Sequence, residues 1–141
     1  MDEATGQLVR RRAGNRCEYC RVPQEATPFI PFHIEHIRAR QHLGRDDPQN
    51  LALACDRCNA FKGPNLVSVD PETDEVVPLF NPRQDEWTEH FLTEGGEITG
   101  LTPTGRATVR LLHMNAPRRV QLREEWYDVA LRWDEPETDG G

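Results

Sequence analysis

The chain lacks any long apolar stretch. Its longest unbroken apolar run, Leu51 to Cys55, is far too short to span a membrane, so no membrane role is expected. The opening residues Met1-Asp2-Glu3-Ala4 carry no basic start, no apolar stretch and no small-residue cleavage site. No secretory signal is visible, and a reducing cytoplasm is the expected compartment. There is no internal repeat and no recognisable helix-turn-helix or other base-reading element, which argues against strong intrinsic sequence specificity. A zinc-protease motif is absent too, because the order His33-Ile34-Glu35-His36 is not HExxH. With 141 residues the chain has room for one modest core and little room for a second domain.

Cysteine is scarce, but its placement is specific. The four cysteines form two hooks, Cys17-x-x-Cys20 and Cys55-x-x-Cys58, on either side of the Glu35-His36 pair. Each hook puts two thiolates on one side of a tight turn, and four sulfurs close a tetrahedral zinc shell with no open position, which is a structural rather than a catalytic site. Two disulfides or a redox pair are the competing readings. A reducing compartment and the strain of bridging within CxxC weigh against both.

The formal charge of -7 looks wrong for a nucleic-acid enzyme, but it is unevenly distributed. Up to residue 66 there are ten Lys or Arg against eight Asp or Glu, and beyond it seven against sixteen. Arg10, Arg11, Arg12, Arg16, Arg21, Arg38, Arg40, Arg45, Arg57 and Lys62 all belong to the first part. A basic surface there would meet phosphates. Ordinary solvated arginines are the alternative.

Residues 5–16 suit a short basic helix stopped by Gly14-Asn15, and the proline-bearing stretch 21–31 a loop. Alternation over Phe32 to Ile37 predicts a half-buried strand, 41–50 a polar loop, Leu51 onward a second strand, and Cys58 to Lys62 a short helix ended by Gly63-Pro64. Further on, 67–82 reads as a hairpin, Glu86 to Phe91 as a small amphipathic element before a Gly95-Gly96 turn, and Glu97 to Leu101 as a strand. A helix capped by Thr102 or Thr104 runs to about Met114, and Pro117 opens a last helix through Trp133. The tryptophans are expected to pack rather than to stack on bases. The expected class is α+β, as one domain over 1–133 with its core at 17–63 and an extension at 64–133, followed by a disordered acidic tail at 134–141.

Glu35-His36, Asn50-Leu51, Cys55-x-x-Cys58-Asn59 and Lys62-Gly63, at spacings of fourteen residues from His36 to Asn50 and nine from Asn50 to Asn59, resemble the HNH endonucleases. The resemblance implies a small ββα-metal core whose zinc-bearing members carry the same two hooks. It implies a metal-dependent nuclease acting on DNA, with His36 as general base for water, Glu35 and Asn59 as oxygen ligands of Mg2+ or Mn2+, and Asn50 tying the loop that orients His36. The family commonly has Asp in place of Glu35 and often His in place of Asn59. Lys62, Arg38 and Arg57 are candidate phosphate contacts, with plain surface charge as the alternative for Lys62. Adjacent strand residues point to opposite faces, so the strand must twist or end at Glu35-His36 for both to serve one site, or else His33, on the Glu35 face, contributes. Two other readings stand beside the nuclease: a zinc-stabilised nucleic-acid-binding module without catalysis, and a subunit whose acidic C-terminal part docks a protein partner. A homodimer also fits, since a one-site enzyme needs two copies or two encounters to cut both strands.

Overall fold

A computed structural model describes residues 2–131; the expected tail at 134–141 and Trp133 lie outside the described residues. The first helix, α1 (Glu3–Arg12), starts where the Asp2 carboxylate accepts the Thr5 N–H at 2.7 Å and keeps Glu3 in its first turn and three arginines in its last. Both biases complement the helix dipole. The cysteine hook follows, and then two antiparallel strands, β1 (His33–His36) and β2 (Leu51–Ala54), paired from His33 opposite Ala54 to His36 opposite Leu51. Every residue of β2 is buried, because the strand lies between α1, the hook and the helix that follows it. That helix, α2 (Asp56–Lys62), begins earlier than the expected Cys58, since Cys55 serves as its N-cap, its sulfur accepting the Cys58 N–H. The order strand, loop, strand, helix agrees with the α+β expectation.

Beyond it, β3 (Val67–Val69) and β4 (Val76–Pro78) make the expected hairpin. A one-turn helix α3 (Trp87–His90) leads directly into β5 (Phe91–Glu94), which pairs with β6 (Glu97–Gly100) across Gly95-Gly96. The sequence reading had β6 but not β5. Helix α4 (Pro103–Leu111) takes Thr102 as its cap, the hydroxyl accepting the Gly105 N–H. The expected last helix is broken at Trp126 into α5 (Pro117–Glu125) and α6 (Tyr127–Ala130).

One buried cluster runs from Val9 and Tyr19 through β2 to Trp87, Phe91, Ile98 and Leu122, joining the extension to the core. Trp87 is buried, as expected of a packing residue, and donates its indole N–H to the Tyr19 carbonyl at 2.9 Å. The β3–β4 turn is tied to α4 by Arg106, whose guanidinium reaches both oxygens of the buried Asp70 at 3.0 and 2.8 Å. Arg106 holds the Asp70 carboxyl well below the usual carboxylate range, with help from the Glu72 N–H and the Thr73 hydroxyl. A depressed carboxylate contributes stability that is present above the ordinary range and lost as pH falls through the depressed value. Asp70→Asn is therefore expected to lower the melting temperature at pH 7, and thermal melts of the two proteins should converge as the pH is taken below the ordinary carboxylate range.

Candidate metal centre and active site

The hooks converge. One ligand atom from each of Cys17, Cys20, Cys55 and Cys58 lies within 4.8 Å of the others, and all four residues are buried. Cys20 Sγ stands 3.6 Å from Cys55 Sγ, too far for a disulfide and close to the spacing of about 3.8 Å that zinc–sulfur bonds of ~2.3 Å give in a tetrahedron. Each hook also turns a backbone N–H onto its first sulfur, Cys20 onto Cys17 and Cys58 onto Cys55, both at 3.4 Å. Hydrogen bonds from its three neighbours hold the Cys20 thiol well below its ordinary range. Contact with Cys17 and Cys20 pushes Cys55 up, and burial pushes Cys58 up. Four buried thiols brought this close, with their four soft donors, fit structural zinc.

Two arginines that sequence reasoning did not single out close over this centre. Arg119 Nη1 donates to Cys58 Sγ at 3.1 Å, and the fully buried Arg123 donates to the carbonyls of Cys20, Gly96 and Met114. The first hook is docked to β2 from the other side. Glu18 N–H donates to the Leu53 carbonyl at 2.9 Å, its carboxylate accepts the Leu53 N–H at 2.8 Å, and Arg83 pairs with that carboxylate.

Beside the zinc centre lies an open depression of about 510 Å³, bordered by His33, Glu35, His36, Arg40, Asn59 and Gly63. β1 ends at His36, and Glu35 and His36 both line the depression although their side chains have different partners. Glu35 turns inward: it is 6% exposed, accepts the Tyr19 hydroxyl on Oε1, and has Lys62 Nζ 3.7 Å from Oε2. Burial raises its pKa, and Lys62 and Tyr19 work against that rise. His36 turns its Nε2 onto Asp46 Oδ1 at 2.6 Å. Hydrogen bonds from His36 and from Arg40, 3.0 Å away, hold the Asp46 carboxyl below its ordinary range, so it stays an acceptor. Asn50 clasps the intervening loop: its Oδ1 accepts the Arg38 N–H, and its Nδ2 donates to the carbonyls of Arg38 and Arg45, all at 2.8–2.9 Å. Asn59 reaches the depression from α2.

The arginine cluster is a partial correction. Arg10 donates to the Phe32 carbonyl, Arg12 to those of Pro48 and Leu51, and Arg16 to that of Val129, while Arg21 is buried with its guanidinium over Trp87. Arg10, Arg12 and Arg16 thus brace backbone and Arg21 packs on an indole, while Arg11 stays exposed. Lys62 is corrected more sharply. It is 2% exposed and its ammonium donates to the Ile37 carbonyl at 2.8 Å, because the last turn of α2 packs against the end of β1. A phosphate outside the protein does not reach it. Arg38 and Arg57 are exposed, and so are Arg40 and Arg45. Sequence reasoning missed Asp46, whose signal is slight: one acid in a polar loop, ten residues from the histidine it meets.

Among the described residues no helix is long and apolar enough to cross a membrane. No curated protein and no solved structure matches the chain. A family model described as HNH endonuclease matches residues 17–64, the segment that holds both hooks, both strands of the first hairpin, α2 and the depression. The matched segment, similar to the HNH endonuclease family, is built around the four-cysteine centre.

Proposed function

We propose that the protein is a metal-dependent endonuclease that hydrolyses DNA phosphodiester bonds, with His36 as general base. The observation that carries the reading is the pairing of His36 with Asp46 at the edge of a depression that Glu35 and Asn59 also border. Asp46, held as a carboxylate, accepts a hydrogen bond from Nε2–H, so the neutral imidazole has its lone pair on Nδ1. Nδ1 takes the proton of the attacking water as its oxygen bonds to phosphorus. The P–O3' bond then breaks and O3' takes a proton from solvent water, leaving a 5'-phosphate and a 3'-hydroxyl. Arg40, on the same carboxylate, keeps Asp46 in place. Asn50 positions rather than reacts, because its whole side chain is spent on the loop backbone.

One carboxylate and one amide oxygen form a hard donor set, suited to Mg2+ or Mn2+ with water and phosphate oxygens completing the shell. Glu35 would offer Oε2 to the cation, an oxygen that already has Lys62 Nζ at 3.7 Å, since Tyr19 occupies Oε1. Such a cation would neutralise charge growing on the phosphate and the leaving oxygen. Lys62 fixes Glu35 from behind. The exposed Arg38 and Arg57 remain the candidate phosphate contacts, and core and extension act as one folding unit in a reducing compartment.

Asp46→Asn is expected to lower kcat by roughly ten- to a hundredfold without moving the melting temperature, because the pair is solvent-exposed and orients the base without holding the fold. Cleavage kinetics beside a thermal melt check this. The reading as a whole is tested by incubating zinc-loaded protein with supercoiled plasmid and magnesium or manganese. Nicked or linear product is expected. Binding to DNA with intact plasmid under both metals would favour the non-catalytic module, and cleavage only on adding a second protein the partner-dependent subunit.

A further inference from the structure

Leu43 sits at the tip of the β1–β2 loop with φ 69° and ψ 24°, in the left-handed region that glycine enters freely and a branched L side chain does not. It is also 82% exposed. A left-handed backbone and a hydrated apolar side chain are two costs at one residue, and among the described residues the side chain stays largely uncovered.

The tip is rigid. The N–H groups of His42 and Gly44 both reach the Ala39 carbonyl, and Leu43 N–H reaches that of Arg40, at 2.9–3.0 Å. A Cβ on Gly44 would fall 1.7 Å from the Arg38 carbonyl oxygen, so only glycine closes the turn there. Asn50 then bolts both ends, through Arg38 and Arg45. The exposed neighbours of Leu43 along the loop are Arg38, Arg40, Gln41, His42, Arg45 and the acids Asp46 and Asp47. Of the two acids, Asp46 is taken up by His36 and Arg40, and Asp47 caps the Gln49 N–H. One apolar side chain held out stiffly among cations matches a polyanion with an apolar interior. It does not match a protein partner, which would need a contiguous apolar patch.

We propose that Leu43 is a wedge that enters the minor groove of duplex DNA and unstacks a base step beside the depression, which Ala39, Arg40 and Gln41 of the same loop line. Arg38 and Arg45, which stand outside the Arg40–Asp46 pair, would hold the flanking phosphates. This rests on the nuclease reading above, and it names how that site opens its substrate.

The test compares two duplexes, one continuous and one with a single unpaired base, cleaved with magnesium by the wild type and by Leu43→Gly, Leu43→Asn and Leu43→Met. The first two variants accept the left-handed backbone without the apolar tip, and the third keeps an apolar tip. Leu43→Gly and Leu43→Asn are expected to cut the continuous duplex at least about tenfold more slowly and the unpaired-base duplex at nearly the wild-type rate, since that substrate is already unstacked. Leu43→Met should follow the wild type on both, and Leu43→Gly should melt no lower than the wild type. Equal rates for wild type and Leu43→Gly on the continuous duplex would overturn the wedge alone, as would an equal loss on both substrates. A wild type that cuts neither duplex would overturn the nuclease reading and the wedge with it.

Discussion

Replacing His36 by alanine is expected to lower the cleavage rate by about 10²–10⁴, the usual contribution of a positioned general base, while leaving the fold intact. The two halves of this expectation have separate grounds. His36 is the last residue of β1 and only half-buried, and its imidazole touches Asp46 on an exposed loop rather than the zinc centre. Without it, Asp46 still has Arg40 at 3.0 Å and Asn50 still clasps the loop, so no buried polar group loses its partner. Chemistry suffers because the imidazole that Asp46 orients is gone: Glu35 is turned toward Tyr19 and Lys62, Asn59 carries an amide, and His33, which also borders the depression, stands outside the pair with Asp46. Single-turnover rates beside a melting curve separate the two. Turnover at the wild-type rate would remove His36 from the mechanism.

Cys17→Ser is expected to do the opposite, destroying the fold and the activity together. A structural zinc shell contributes on the order of 10–16 kcal/mol in zinc-finger peptides, as much as the whole stability of a typical domain, about 5–15 kcal/mol. Here the shell also joins segments far apart in sequence. Cys17 and Cys20 form the hook docked to β2 through Glu18, Cys55 caps α2, and Cys58 receives Arg119 from the C-terminal extension. Losing one sulfur leaves three buried thiols without a cation to discharge them and a guanidinium against a neutral neighbour. The variant should purify with less than one zinc per chain and melt without a cooperative transition, and a strong chelator should bring the wild type to the same state. Metal analysis and circular dichroism measure both. A soluble, cooperative, zinc-free Cys17→Ser protein would contradict the structural role of the metal.

The core was legible because its signals are local. CxxC spacing, alternation over β1 and the Gly63-Pro64 stop each depend on a handful of neighbouring residues, and together they are enough for strand, loop, strand, helix. β5 was not legible because α3 passes into it at Phe91 with no intervening turn, so the apolar residues on either side merge into one amphipathic pattern. The helix break at Trp126 carries no proline or glycine to mark it.

Side-chain partners are harder to read than elements, and the cations show why. Arg10, Arg12, Arg119 and Arg123 look in sequence like any solvated charge, yet each meets a carbonyl or a sulfur brought up by tertiary folding. Lys62 was placed at the end of its helix correctly, but which way the last turn of a helix faces depends on how it packs, and here it faces β1. Asp46 is the converse. It is an unremarked acid in sequence that becomes the partner of the histidine only because the loop folds back under the hold of Asn50.

The most direct measurement of the central claim is single-turnover cleavage of supercoiled plasmid by zinc-loaded His36→Ala protein, with and without added imidazole, beside the wild type. If His36 supplies the base at the depression, the variant should be inert alone and regain cleavage as imidazole is added, with 5'-phosphate ends as in the wild type. Cleavage by the variant at the wild-type rate without imidazole would contradict it.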